Sequence, residues 1–342
     1  MRIYTWTLRF FLCLSILGAA SANAEPTTLF LAHLNPNSAT NNPTGAMATT
    51  FEIALETLTD GRINVETFPE GQLGGERQVV DLVRRGVIQS AIISVAGITK
   101  RYPLISVLSD PFRFRNLQDV YNVYDGPFGR YLRDDIEKKT GLSVLAFGDT
   151  GGLFVLTNSK RPIHSPEDLA NLRIRTMALE EHKHIIRSLG GAPVALAWRE
   201  LYASLQNGIL DGQMNPPSVV RAGKLHQVQK YMTVTNHLYT PYLWIANAQF
   251  LAALSPETQK AIATAARAGV LASRRLAQSS NALESLAASM EIYQPTAAEG
   301  RAFQKASRPA MNQFVHENLG AEGVRLLEMF RAGRGASKKS QR

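Results

Sequence analysis

The feature that most constrains this chain is a unit of helix, glycine and strand that occurs twice. Val79, Leu82 and Val83 fall at helical spacing, Gly86 stops the helix, and residues 87–95 read as a buried strand. About 120 residues later, 201–207 read as helix, Gly208 ends it, and 209–215 continue as strand. Short strands and helices alternate around both units. Residues 29–34 form an apolar strand, Met47, Phe51, Ala54, Leu55 and Leu58 follow helical spacing up to Gly61, and Ile63 and Val65 alternate with polar neighbours. Alternation of this kind predicts an α/β fold, and the repeated unit predicts two lobes built alike. A chain of 342 residues, 45% hydrophobic and 19% charged, can bury the cores that two lobes require.

The N-terminus predicts the compartment. Arg2 and Arg9, an apolar run over 10–17 and Ala22-Asn23-Ala24 before Glu25 read as a secretory signal over 1–24, which places the chain in a bacterial periplasm. The run is shorter than the ~20 residues that span a bilayer. Cys13 lies inside it behind Phe11 and Leu12, where lipidation would want small residues, and it is the single cysteine. From Glu25 onward there is therefore no disulfide, no thiolate chemistry and no cysteine-based zinc site to expect. The net charge of +9 is concentrated at the ends: Arg2 and Arg9 at one, and Arg331, Arg334, Lys338, Lys339 and Arg342 in a basic, frayed tail over 331–342 at the other. The body between them is nearly balanced, so neither charge nor compartment points to nucleic acid.

Chemistry-bearing motifs are missing. The sequence contains no G-x-S-x-G, no G-x-x-x-x-G-K-[ST], no G-x-G-x-x-G and no H-E-x-x-H. His182 and His184 point to different faces of a helix and read as solvated, and Glu180-Glu181 and Asp134-Asp135 read as solvated helix faces. No metal, cofactor or catalytic set is expected. Ser165-Pro166-Glu167-Asp168 and Ser255-Pro256-Glu257 read as helix starts, with a capping serine and proline at the first helical position. From Pro256 no proline intervenes before Pro295, which predicts a helix to about Met290, roughly 50 Å long at ~1.5 Å per residue, with Gly269 as a possible bend.

Seven motifs then occur in order: Gln72-Leu73-Gly74-Gly75-Glu76-Arg77, Asp110-Pro111-Phe112, Thr157-Asn158-Ser159-Lys160-Arg161-Pro162-Ile163, Leu172-Arg173-Ile174-Arg175-Thr176-Met177, Tyr202-Ala203-Ser204-Leu205-Gln206-Asn207-Gly208, Asp211-Gly212-Gln213-Met214-Asn215-Pro216 and Tyr231-Met232-Thr233-Val234-Thr235-Asn236-His237. Together they resemble the substrate-binding subunits of tripartite ATP-independent periplasmic (TRAP) transporters, the DctP family, from about residue 29 to 290. The resemblance implies a two-lobed periplasmic binding protein fold, its lobes joined by strands and a long crossing helix. It implies 25–151 with 241–280 in one lobe and 152–240 with 281–330 in the other. It also implies a monomeric receptor that binds a small carboxylate and hands it to membrane permease subunits.

By the same resemblance Arg175 holds the ligand carboxylate, Asn215 hydrogen-bonds the ligand and Trp198 packs over it, while Met177, Ser94, His33 and Tyr239 fall at pocket positions. A guanidinium suits the first role because it can make two parallel charge-assisted bonds and stays charged when desolvated. Strand alternation turns Arg173 and Arg175 to one face, so spacing alone does not choose between them. Two departures stand out. Met214 replaces the family's glutamate, on the opposite strand face from Asn215. Phe154 stands where many members carry a second arginine, which predicts an apolar wall and a preference for a monocarboxylate with apolar bulk. The alternatives are a receptor for an ABC importer or a sensor kinase, and a secreted enzyme acting on organic acids with Arg175 orienting the substrate.

Overall fold

A computed structural model describes residues 27–279 and 281–333. The expected signal segment, its expected cleavage before Glu25, and the tail beyond 333 lie outside the described residues. In chain order the strands are β1 (Thr27–Ala32), β2 (Ile63–Phe68), β3 (Ser90–Ile93), β4 (Leu142–Gly148), β5 (Val155–Asn158), β6 (Arg173–Thr176), β7 (Ala192–Ala195), β8 (Gly212–Asn215), β9 (Tyr231–Thr233), β10 (Tyr242–Asn247) and β11 (Glu291–Tyr293). They form two sheets, ordered β2-β1-β3-β10-β4 and β11-β9-β5-β8-β6-β7. From β7 inward, the second sheet repeats the first. In each, three parallel strands are followed by one antiparallel strand, β10 or β5, which enters from the other lobe.

The repeated units have a local cause. The helices Glu76–Arg84 and Trp198–Gln206 stop before Gly86 and Gly208, whose φ values of 72° and 66° are left-handed and favour glycine. The chain then turns into β3 and β8. Within the strands, alternation sends Val155 to a core with Leu201 and Met232, and Leu156 to one with Ile174 and Met214.

Two segments, 149–154 and 234–241, carry the chain between the sheets and run side by side. Thr150 Oγ1 donates to the Thr240 carbonyl at 3.0 Å, and the Phe154 N–H to that of Leu238 at 2.8 Å. The Asp149 carboxylate accepts from the N–H groups of Gly151 and Gly152 at 2.6 and 3.0 Å, holding the first crossing.

The C-terminal part differs from the sequence reading. The expected single helix over 256–290 is instead Pro256–Ser279 followed by a short helix, Ala282–Ala287. The first packs Ala261, Ile262, Ala265 and Val270 with Met47, Phe51 and Leu55 of the first lobe, whereas Leu286 joins Leu225 and Met232 of the second. These two helices therefore form no single rod under both lobes. Gly269 marks a close approach rather than a bend, since a Cβ there would lie 2.6 Å from the Met47 carbonyl oxygen and 2.9 Å from the Trp244 ring. The helix Ala297–Ala332 is sharply bent at Gly320, with φ 60° and ψ −158°. Its Phe303 lies in the second lobe's core, but Met311, Phe314, Val315, Leu326 and Phe330 lie in the first lobe's, so residues up to 330 do not all belong to the second lobe. Arg331, expected in a frayed tail, closes that helix and makes a two-pronged pair with Asp110. The Ser165 start leads only into a 3₁₀ turn, Pro166–Leu169, before Asn171 turns the chain at φ 64°. Among the described residues no helix is long and apolar enough to cross a membrane.

Candidate functional site

Among the three parallel strands of each sheet the order reverses once, between β1 and β3 and between β6 and β8. Crevices at the carboxyl ends of strands, at such reversals, are where α/β sheets take ligands. The two reversals share one cavity of about 460 Å³. The first lobe lines it with Asn35, Glu76, Ser94 and Tyr242, and the second with Arg175, Met177, Trp198 and Asn215.

Arg175 sits in β6, only 4% exposed. Its Nε donates to the Leu196 carbonyl at 3.0 Å, which fixes the guanidinium and leaves the Nη1 and Nη2 edge for a planar anion. Burial pulls its pKa down to about 10, with the Glu76 carboxylate across the cavity acting the other way, so it stays charged at neutral pH. Arg173 is held elsewhere. It is exposed and bonds Asp211 at 2.9 and 3.0 Å and the Gly208 carbonyl at 2.6 Å, which resolves the choice that strand alternation left open.

Asn215 ends β8 and donates its amide to Gln213 Oε1 at 2.5 Å. Gln213 in turn donates to Thr157 Oγ1, so the carboxamide is oriented and keeps its carbonyl oxygen and second N–H for an occupant. Met214, one residue back, points into the core as alternation requires. Trp198 is half-buried and has both roles: it lines the cavity, and its ring packs so close to Gly223 that a Cβ there would lie 2.8 Å away. Met177 follows β6 and also lines the cavity.

Opposite Arg175, Ser94 follows β3. Its N–H and Oγ–H both donate to the Glu76 carboxylate at 2.6 Å. Burial pushes the Glu76 pKa up, while the Ser94 bonds and Arg175 oppose that shift. Each carboxylate oxygen retains lone-pair capacity for a hydroxyl donor. Asn35 bonds Thr44 at 2.9 Å and Tyr242 Oη at 3.0 Å, making a fixed neutral wall.

Three residues expected in the pocket are not among its lining. Phe154 is buried in the second lobe's core with Leu156, Ile163 and Met214, its ring edge-on to His237 at 6.5 Å, because its backbone bond to Leu238 turns the side chain inward. It forms no wall of the cavity. His33 is buried below the first lobe's rim, where burial pulls its imidazole down to about 4 and keeps it neutral. Tyr239 is packed against Phe114 and Tyr124 in the first lobe's core, and Tyr242 lines the cavity instead.

The solvated reading of two side chains is also corrected. Glu181 and His182 are buried where the helix Glu180–Ser188 meets the 3₁₀ helix Pro103–Ser109 of the first lobe. His182 Nε2 lies 3.1 Å from Ser109 Oγ. Burial pushes Glu181 up to about 7, and burial, followed by His237 and Arg175, pulls His182 down to about 3. Asp135 is half-buried and accepts from Tyr102 at 2.5 Å and Lys139 at 2.8 Å. No group of three or more metal-ligating side chains occurs among the described residues.

Sequence reading passed over Glu76, Asn35 and Tyr242. Glu76 stood inside a quoted motif, but its partner is 18 residues away. Only the folded sheet brings them together.

Comparison with known proteins decides the class. Residues 34–318 match the family described as bacterial extracellular solute-binding protein, family 7, or DctP. The chain belongs to this family. The C4-dicarboxylate-binding periplasmic protein DctP of Rhodobacter capsulatus is 30% identical over 319 residues, covering 91% of this chain and 93% of that protein. A TRAP periplasmic solute-binding protein from Polaromonas sp. JS666, solved bound to D-erythronate, is 31% identical with a TM-score of 0.81, covering 90% of this chain and 98% of that one. Another from Sulfurospirillum deleyianum, with bound succinate, is 27% identical with a TM-score of 0.80, covering 89% and 99%. The family and these neighbours are solute-binding receptors, and this DctP-family chain has the same two-lobed α/β fold.

Proposed function

We propose that this chain is the solute receptor of a TRAP transporter, that it works as a monomer in the periplasm, and that it hands a hydroxylated monocarboxylate to the membrane permease. The observation that carries the reading is the opposition of Arg175 and Glu76 across one cavity. The free edge of the Arg175 guanidinium takes the carboxylate in two parallel bonds. The far end of the ligand then meets Glu76 and Ser94, where hydroxyl groups have an acceptor and a second carboxylate would meet like charge. Asn215 bonds the middle of the ligand and Trp198 covers it. Binding at both lobes draws them together about the paired crossings. The related proteins carry D-erythronate, a polyhydroxy monocarboxylate, and succinate, a dicarboxylate, and the Glu76 side favours the first kind. Phe154 plays no part in this preference.

Calorimetric titration with D-erythronate and succinate tests it. Removing one partner of a buried, hydrogen-bonded charge pair costs about 2–5 kcal/mol, roughly 30-fold to several thousand-fold in affinity. Arg175→Ala should lose that much, Arg175→Lys should recover part, and Arg173→Ala should bind as wild type. Near-wild-type affinity in Arg175→Ala, with circular dichroism showing an unchanged fold, would overturn the assignment.

A further inference from the structure

Because β10 runs antiparallel to β3, its first residue, Tyr242, stands at the carboxyl end of β3, where the cavity lies. Its polar neighbours are Asn35 and Thr44, the latter fully buried in the first turn of the helix Pro43–Leu58. Asn35 Nδ2 donates to Thr44 Oγ1 at 2.9 Å and to Tyr242 Oη at 3.0 Å, so both of its N–H groups are taken. Each hydroxyl oxygen thus accepts, and two hydroxyl protons remain to be placed. Thr44 is sealed from solvent, and among the described residues Tyr242 is its one hydrogen-bonding neighbour besides Asn35. Thr44 therefore donates to Tyr242, since the reverse direction would strand a buried proton. The Tyr242 proton then has one direction left, the cavity. Burial pushes the Tyr242 pKa up, with Thr44 and Asn35 opposing and Glu76 adding to the shift, so the hydroxyl keeps that proton at neutral pH.

The first lobe thus presents two polar groups of opposite kind. Glu76, held by the N–H and Oγ–H of Ser94, can only accept from an occupant, whereas Tyr242 is set to donate. A ligand hydroxyl answers both, because it accepts and donates at once. A methylene group answers neither, and on binding it leaves the Tyr242 proton desolvated without an acceptor. A carboxylate accepts from Tyr242 but brings its charge toward Glu76. We infer that Tyr242 is a specificity-determining residue, a hydrogen-bond donor that selects hydroxylated acids over unsubstituted ones, and that Asn35 and Thr44 are positioning residues that aim its proton. The inference rests on the cavity being the solute pocket with the ligand carboxylate at Arg175, and it adds the donor that reads the ligand's far end.

Calorimetric titration of the full chain with D-erythronate and with butyrate, an acid of the same chain length without hydroxyls, tests the inference. Wild type should bind D-erythronate more tightly. Tyr242→Phe keeps the ring and removes only the hydroxyl. It should weaken D-erythronate binding about threefold to tenfold, the order of one hydrogen bond, and leave butyrate binding unchanged. Thr44→Val should cause a smaller loss for D-erythronate, and in the Tyr242→Phe background no further loss, because Thr44 acts on the ligand only through that hydroxyl. Additive losses would overturn the positioning role. Arg175→Ala should lose both acids alike. Retention of both acids there would defeat the carboxylate anchor, whereas a Tyr242→Phe loss confined to D-erythronate would still uphold this inference, so the two fail separately. Unchanged D-erythronate affinity in Tyr242→Phe would overturn it, as would equal losses for both acids, or butyrate bound by wild type as tightly as D-erythronate.

Discussion

At the carboxyl ends of β1 and β3 the first lobe offers the cavity a carboxylate, two hydroxyl groups and an amide, from Glu76, Ser94, Tyr242 and Asn35. At the equivalent ends of β6 and β8 the second lobe offers a buried guanidinium, an oriented amide and an indole, from Arg175, Asn215 and Trp198. The strand order is the same and the chemistry is opposite. The fold therefore sets where a ligand sits, at two facing reversals of strand order, and the side chains at the strand ends set which end of the ligand faces which lobe.

The largest effect that sharpens this contrast is one of stability. Phe154 belongs to the second lobe's core, so Phe154→Ala should cost about 3–5 kcal/mol of unfolding free energy, read by denaturant titration. The ranking of bound acids should not change. A changed ranking would return Phe154 to the pocket wall.

A smaller effect isolates the first lobe. Glu76→Gln keeps size and removes charge, and it should weaken D-erythronate binding about tenfold, the order of one charge-assisted hydrogen bond. Succinate binding should be unchanged or tighter. Equal losses for both acids would mean that Glu76 only braces Ser94.

The smallest effect lies where the lobes meet. His33, His182 and His237 have pKa values lowered to about 4, 3 and 4, with burial the largest cause in each. The unfolded chain therefore binds more protons than the folded one below about 6.5, and these groups take stability away as pH falls from there toward 4. Glu181 has the opposite sign. Its pKa is raised to about 7, so the folded state keeps a proton that the unfolded state has lost, and stability falls as pH rises from 4.5 through 7. Glu181→Gln should thus gain in melting temperature over wild type more at pH 8 than at pH 5. An equal difference at both pH values would contradict the buried, proton-holding role.

Much of the architecture was legible because its signals are local. Gly86 and Gly208 announce the ends of two helices and the starts of two strands, and both do what their positions require. The break at Asn281 had no such signal, since no proline or glycine marks it. In the site, a motif pointed to Arg175, but only Asp211, which claims Arg173, separated the two arginines. Phe154 and Tyr239 were misplaced for the same reason. Each lies on a crossing segment, where there is no strand period to say which way a side chain turns. Glu76 and Ser94 come from different elements, as do His182 and Ser109, and no sequence spacing predicts contacts of that kind.

A crystal structure of the chain with the acid that binds most tightly among erythronate, succinate and related compounds tests the central claim most directly. The account predicts the carboxylate in two-pronged contact with Arg175 Nη1 and Nη2, and a ligand hydroxyl donating to the Glu76 carboxylate. A carboxylate directed toward the first lobe, with Arg175 bonded only to water or protein, would contradict it.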